Sequence, residues 1–146
     1  MGYLIERKST MTVKTFSPEG LFSPVPYDHV SVATGSRHIH VAGQIDRDGD
    51  RGPVATGDLA GQVAQVLRNT HRALAGAGAT FDDVVRLRFF VTQWHPDKTG
   101  AFFEGIERVA AEVGLPTPLP PVSLIGIDYL FEPDVQVELE AYAILD

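Results

Sequence analysis

The chain has 146 residues, a formal net charge of −7 and no cysteine. This length accommodates one domain with a substantial core, and the lack of cysteine excludes disulfides, thiolate metal sites and cysteine nucleophiles. The acidic charge, without a dense run of lysine or arginine, argues against a nucleic-acid partner. No apolar run approaches the roughly 20 residues that span a bilayer, so a membrane partner is not expected either.

The first residues differ in character from those that follow. Met11 opens a strand-like sequence, so we expect residues 1–10 to be a disordered leader and residues 11–146 to form a single domain. The N-terminus carries no hydrophobic region typical of a signal peptide, which makes the cytoplasm the expected location.

The first third of the chain predicts three short strands and a long polar loop. Strands are expected over residues 13–16, 30–33 and 38–44, where apolar and polar residues alternate. In the third strand, alternation places Gly43 on the apolar face with Val41, and Gln44 on the opposite face. Residues 45–56 are rich in aspartate and glycine, which is typical of a loop.

Two helices with a strand between them follow. Asp58 is the expected N-cap of the first helix, which carries one apolar stripe and ends near the glycines at 76 and 78. The fourth strand, over residues 84–91, places Val85 on its apolar face. The second helix covers about residues 98–113, and a proline-rich connector leads to a fifth strand over residues 122–127.

The last stretch, residues 134–145, alternates strictly and predicts a long strand with two unlike faces. Two amphipathic helices can cover only one face of a mostly antiparallel or mixed sheet, which indicates an α+β fold. The other face combines charges of both signs with aromatic rings: His38, His40, Arg86, Arg88, Phe90, Glu138, Glu140 and Tyr142. We expect a second copy of the chain to cover this face, with Arg–Glu pairs crossing the sheet.

Six segments in a consistent order resemble the RidA family, also called YjgF/YER057c/UK114, whose older names include endoribonuclease L-PSP. They are Val41-Ala42-Gly43-Gln44-Ile45, Gly57-Asp58, residues 62–69, Ala77-Gly78, residues 84–92 and residues 137–143. The resemblance covers essentially everything from Met11 onward. It implies a chorismate-mutase-like fold, with a mixed sheet of about six strands and two helices on one face. It also implies a homotrimer with small-molecule clefts at the subunit interfaces.

The resemblance further implies a hydrolytic enamine/imine deaminase that needs no metal and no cofactor. Carried over by position, the glutamate that positions or activates water falls on Glu138, and Gly43 and Tyr27 shape the pocket. Phe90 and Trp94 could line an apolar pocket with Tyr27, or they could be plain interface packing.

The chain departs from the family where a substrate carboxylate would bind. The family reads Pro-Ala-Arg-Ser at the start of the penultimate strand, whereas this chain reads Pro120-Pro121-Val122-Ser123. Valine cannot replace a bidentate guanidinium. We therefore include Val122 and Ser123 in the predicted pocket and expect a divergent member of the family, with a less anionic ligand or one anchored elsewhere.

Three alternatives remain open at this point. Glu138 could be a structural carboxylate paired with Arg86 or Arg88 rather than a catalytic group. The protein could be a non-catalytic metabolite-binding or interaction trimer. His38 and His40 share a strand face as metal ligands would, but interface or surface histidines are the preferred interpretation, and no metal site is predicted.

Overall fold

The computed structural model describes residues 12–146, and the predicted leader at residues 1–10 lies outside them. Six strands and two α-helices follow one another in the predicted order. The strands are β1 (Val13–Phe16), β2 (Val30–Ala33), β3 (Arg37–Gln44), β4 (Val84–Thr92), β5 (Val122–Ile127) and β6 (Val137–Leu145). The helices are α1 (Leu59–Gly76) and α2 (Thr99–Val113). Among residues 12–146, no helix combines the length and the apolar composition that crossing a bilayer requires.

Short-range contacts explain where the helices begin and end. The Asp58 carboxylate accepts a hydrogen bond from the Gly61 amide at 3.0 Å, which caps α1 as predicted. α2 ends at Gly114, whose φ of 68° lies in the left-handed region that glycine adopts without strain. Both boundaries are therefore set by single residues that the sequence already indicates.

The strands are divided between two sheets. β1 and β2 form an antiparallel pair, and the other four strands form a mixed sheet in the order β3-β6-β4-β5. β6 is antiparallel to both of its neighbours, whereas β4 and β5 are parallel. The prediction of an α+β fold with six strands and two helices is confirmed, with the six strands distributed over a pair and a four-stranded sheet.

Both helices pack on the same face of the four-stranded sheet. α1 lies against β3 and β6, while α2 places Phe102 edge-on against Phe89 of β4, with ring centroids 4.9 Å apart. The helices approach each other closely at Gly105, where a Cβ would lie 2.5 Å from the Ala60 carbonyl oxygen. The hydrophobic core lies between the helices and this face, so the opposite face of the sheet is left without a helix.

A β-bulge lies at the start of β4 and changes which valine side chain enters the core. The register with β6 shifts between Val84 and Arg86. Val84 is 1% exposed, whereas Val85 is only half-buried, and its carbonyl accepts a hydrogen bond from the Ser31 hydroxyl at 2.7 Å. The prediction that Val85 shares the apolar face is therefore wrong, because the bulge inserts one extra residue into the alternation.

The last strand begins at Val137 rather than at residue 134. Before it, the Val135 amide donates to the Glu132 carbonyl at 3.0 Å, which closes a turn. The Asp134 carboxylate accepts two hydrogen bonds from Arg47, each 2.9 Å long. Asp134 is thus held by the loop after β3 instead of extending the alternation of β6.

Candidate functional site

Glu138 lies near the start of β6, on the sheet face that carries no helix. Its neighbours Val137 and Leu139 have no exposed surface and point into the core, so strand alternation turns Glu138 the other way. Phe90 of β4 is its direct partner in the register. The two predicted site residues Glu138 and Phe90 therefore share one face of the sheet.

The Glu138 carboxylate is half-buried and has no cation beside it. Arg88 Nη1 lies 3.6 Å from Glu140 Oε1, and Arg86 Nη2 donates to Ser123 Oγ at 2.7 Å. Within residues 12–146 no ion pair includes Glu138. Burial and, to a smaller extent, the charge of Glu140 raise the pKa of Glu138. A carboxylate with a raised pKa and no paired cation is a candidate for proton transfer.

Gly43 lies against Glu138 because β3 bulges. The register with β6 shifts between Val41 and Gln44, so that Gln44 pairs with Leu139. The predicted placement of Gly43 with Val41, and of Gln44 on the opposite face, is wrong for this reason. A Cβ on Gly43 would lie 2.5 Å from Cδ and 2.7 Å from Cγ of Glu138. The close approach that a glycine within a strand indicates is thus made by the Glu138 side chain.

The rest of this face is charged and aromatic. The His38 ring Nδ1 is hydrogen-bonded to the Tyr142 hydroxyl, and the His40 ring stacks on the Tyr142 ring with centroids 4.4 Å apart. An ion pair crosses the sheet, as expected, between Arg88 and Glu140. Four of these residues, His40, Arg88, Glu140 and Tyr142, border an open cavity of about 510 Å³. In the part of the chain that the structure describes, no three His, Asp or Glu side chains are grouped to hold a metal ion.

A second cavity, of about 400 Å³, lies on the helix side of the molecule. The predicted pocket residues Tyr27, Trp94, Val122 and Ser123 border it. Aromatic and aliphatic side chains complete its wall: Pro26, Phe89, Phe102, Phe103, Ile106, Leu119 and Leu124, with Thr99 beside them. Volume and lining are those of a small-molecule site.

Backbone hydrogen bonds fix the position of Tyr27 in this wall. The Leu119 amide donates to the Pro26 carbonyl at 3.0 Å, and the Asp28 amide donates to the Leu119 carbonyl at 2.8 Å. These bonds join the segment before β2 to the proline-rich connector as an isolated parallel bridge. Trp94 is held from the other side by Phe102, with ring centroids 6.2 Å apart.

The sheet separates the predicted site residues into two groups. Gly43, Phe90 and Glu138 lie on the face without helices. Tyr27, Trp94 and Val122 lie at the cavity on the helix side, where the β4–β5 register pairs Val122 with buried Leu87. Within one chain the candidate catalytic carboxylate and the apolar cavity therefore do not meet.

Ser123 stands at the boundary between the two groups. It pairs with Arg88 in the β4–β5 register, and its hydroxyl accepts the hydrogen bond from Arg86, so the side chain points away from the helices. The residue nevertheless borders the apolar cavity, beside Val122.

Sequence reasoning missed part of each group. Strand and helix spacing indicates Phe89 and Phe102 only as core residues, whereas both also line the apolar cavity. Phe103 could have been noticed, because it is a large aromatic residue just off the apolar stripe of its helix. The neighbourhood of Gly43 depends on a network that no local pattern shows, in which Asn69 Nδ2 donates to the Ile45 and Arg47 carbonyls at 3.1 and 2.7 Å.

That network ties the segment after β3 to the start of β6. Gln62 of α1 donates to the Asp134 carbonyl at 2.9 Å and accepts from the Gln136 amide at 2.9 Å. The carboxylate of fully buried Asp46 accepts hydrogen bonds from the Val54 and Ala55 amides at 3.2 and 2.9 Å. Both of these hydrogen bonds use Asp46 Oδ2, and Oδ1 has no partner among the described residues. Buried hydrogen-bond networks hold backbone in place, and this one flanks both Gly43 and Glu138.

Known proteins resemble the chain over most of its length. The family model described as endoribonuclease L-PSP matches residues 21–145. The RutC family protein YjgH of Escherichia coli K12 is 32% identical over 103 residues, which are 70% of this chain and 73% of that protein.

Solved structures agree with this match. The Rid-family protein YyfB of Yersinia pestis superposes with a TM-score of 0.81 at 33% identity, covering 92% of this chain and all of that one. The YjgF gene product of E. coli gives a TM-score of 0.64 at 25% identity, over 91% of this chain and 99% of that one. From the matched family model and these relatives, the chain belongs to the RidA (YjgF/YER057c/UK114) family.

Proposed function

We propose that this protein is an imine/enamine hydrolase of the deaminase type, which acts as a homotrimer with small-molecule clefts between its subunits. The observation that carries the proposal is the state of Glu138, which is half-buried, free of ion pairs within the described residues, and raised in pKa by burial. A structural carboxylate on a sheet would pair with the arginines of the neighbouring strand, but these contact Glu140 and Ser123 instead.

The division of the site residues supports an assembly. A cleft that uses both Glu138 and the apolar cavity needs the two from different copies, because the sheet lies between them within one chain. The helix-free face carries the stacked rings of His40 and Tyr142 beside the ion pair of Arg88 and Glu140. We do not expect such a face to be left open to solvent. Charged and aromatic side chains in this mixture are typical of subunit interfaces.

The proposed reaction needs only a positioned base. Glu138 takes one proton from water as the water oxygen adds to the C=N carbon, and it gives this proton to the imine nitrogen, which yields a neutral carbinolamine. Glu138 then takes the proton of the carbinolamine hydroxyl group and delivers it to the nitrogen as the C–N bond breaks. A carbonyl compound and ammonia leave, and Glu138 is again ionised. An enamine enters the same sequence after protonation at carbon.

The test compares ammonia release from an enamine and an imine, each formed in situ. One is 2-aminoacrylate, and the other is formed from an apolar amine by a flavin amine oxidase. We expect the wild-type protein to accelerate at least one of them over buffer, and Glu138→Ala to lose that acceleration by a factor of about 10²–10⁴. Glu140→Ala is the matched control, since Glu140 is an adjacent carboxylate already paired with Arg88. Equal rates for wild-type protein and buffer with both compounds would refute the enzyme proposal.

The second candidate function is a non-catalytic metabolite-binding or interaction trimer. Val122 favours it, because the resemblance places an arginine there in family members that clamp a substrate carboxylate. This candidate predicts a metabolite that raises the melting temperature without turnover. The family name endoribonuclease suggests RNA as a third possibility, which the net charge of −7 disfavours. Size-exclusion chromatography tests the trimer itself, and a monomer at micromolar concentration would contradict both trimeric candidates.

A further inference from the structure

The apolar cavity has a lining that selects ligands by charge. Of its residues in the described part of the chain, none is a lysine, arginine, histidine, aspartate or glutamate. The polar residues at its edge, Tyr27, Thr99 and Ser123, carry hydroxyl groups, and the Ser123 hydroxyl is directed to the opposite face of the sheet, where Arg86 donates to it. A cavity of about 400 Å³ with these walls matches an apolar group that carries one neutral polar end.

The wall of this cavity is formed before any ligand binds. Phe102 is 4% exposed and makes edge-to-face contacts with Phe89, Trp94 and Phe103, at centroid distances of 4.9, 6.2 and 5.4 Å. Interlocked aromatic rings of this kind have few alternative rotamers. An apolar ligand would therefore displace water from an existing surface instead of ordering a new one, which lowers the cost of binding.

Three cations next to lining residues have other partners. Arg88, the register partner of Ser123, pairs with Glu140. Arg86, one strand away, donates to Ser123 from the opposite face of the sheet. The Lys98 ammonium, next to Thr99, donates to the Thr92 carbonyl at 3.1 Å. A carboxylate that entered the cavity would lose its water without gaining a counter-ion, and such burial costs several kcal/mol.

We infer that this cavity binds an uncharged aromatic or branched aliphatic group and discriminates against carboxylates. Combined with the proposed function, on which this part of the inference rests, the substrate class is a neutral imine with an apolar substituent rather than a 2-imino acid. The wall residues that determine this specificity are Val122, Trp94 and Phe103, with Val122 at the point where an arginine would reverse the preference.

The experiment uses Trp94, the single tryptophan of the chain, as an intrinsic fluorescence reporter. The full-length protein is titrated at pH 7.5 with 4-methylpentanamide and with 4-methylpentanoate, which share a carbon skeleton and differ in charge. We expect the amide to change Trp94 emission with a Kd at least about tenfold lower than that of the carboxylate, since the charged form is desolvated without a partner. Equal Kd values, tighter binding of the carboxylate, or no response to the amide up to its solubility limit would each overturn the inference.

Two substitutions sharpen this comparison. Val122→Arg is expected to weaken amide binding and to strengthen carboxylate binding, so that the preference is reversed. Val54→Arg makes the same chemical change at a valine that is 48% exposed in a loop outside the cavity, and it should leave both Kd values unchanged. The two-probe comparison on the unaltered protein needs no substitution, so it remains decisive even if Val122→Arg fails to fold.

Binding and turnover are read separately. Glu138→Ala should lower ammonia release as stated above and still bind the amide, because the apolar wall that holds the amide does not include Glu138 of the same chain. Amide binding in a wild-type protein that turns over no imine would remove the proposed function and leave the inference on charge selection intact. Turnover of 2-aminoacrylate by a protein that does not bind the amide would support the proposed function and overturn the inference on charge selection.

Discussion

Replacing Gly43 by alanine is the most direct test of the geometry around Glu138. The added Cβ would lie 2.5 Å from Glu138 Cδ, whereas ordinary contacts at such positions begin at 3.4 Å. The carboxylate must therefore move by roughly 0.9 Å, the difference between these two distances. Gly43 does not have a positive φ, so an alanine fits the backbone itself and the cost comes from the contact alone.

We expect two consequences of Gly43→Ala. The atoms that the added Cβ would meet belong to the flexible end of a half-buried side chain, so the cost should be in the lower part of the range for overpacking, about 1–2 kcal/mol of the free energy of unfolding. A displacement near 1 Å of a catalytic group lowers its rate contribution by about 10²-fold, so imine-dependent ammonia release should fall by that factor while the oligomeric state is retained. Urea unfolding and the ammonia assay measure the two effects independently.

A double-mutant cycle identifies the contact as the cause. In a Glu138→Ala background the atoms that Gly43→Ala would strike are absent, so the cost of the second substitution should fall below about 1 kcal/mol. Gly100→Ala in α2 is the matched control, because no atom lies within 4 Å of its Cβ position, and it should be neutral or stabilise by up to about 1 kcal/mol. An equal cost of Gly43→Ala in both backgrounds would refute the placement of Glu138 against Gly43.

Three further predictions concern stability. Burial raises the pKa of Glu138, so ionisation of this group destabilises the folded state. Glu138→Gln should therefore raise the melting temperature at pH 7–8. The gain should disappear below about pH 4.3, where the group is protonated in both the folded and the unfolded state. Arg47 lowers the pKa of Asp134 by direct hydrogen bonds, so Arg47→Met should lower the urea concentration at the unfolding midpoint at pH 7. That effect should shrink as the pH falls below about 3.9. Arg68→Met breaks the single ion pair between Arg68 and the more exposed Glu112, and it should lower the midpoint less than Arg47→Met does. Leu67→Ala, at a core position with no exposed surface, should cost about 2–5 kcal/mol.

Element order and helix faces could be predicted because they depend on short-range patterns. The Asp58 cap, the apolar stripe of α1 and the position of β5 follow from spacing within a few residues. Side-chain direction near the two bulges could not be predicted, since a bulge depends on how a strand pairs with a partner far away in sequence. Gly43 and Val85 were therefore assigned to the wrong face, although both strands were correctly identified.

The structure places the predicted site residues in two separate groups, which the sequence did not indicate. Tyr27, Trp94 and Val122 border one cavity, whereas Glu138 contacts Gly43 on the far side of the sheet. A sequence pattern assigns residues to strands and to strand faces. It does not show which residues from different strands meet in one cleft of a single copy. The missing information is the packing of one copy against another, which is a long-range property.

This separation has a consequence for how members of the family can diverge. On the proposed function, Glu138 transfers the proton on one side of the sheet, and the network around Asn69 holds the neighbouring backbone in place. The cavity beside Val122 selects the ligand on the other side. Substitutions in the cavity leave the backbone that holds Glu138 unchanged, because they lie on a different face and share no hydrogen bond with it. An arginine-to-valine difference at position 122 is then a change in ligand charge rather than a loss of the reaction, so Val122→Arg should alter which imine is hydrolysed while the Glu138 dependence of hydrolysis persists.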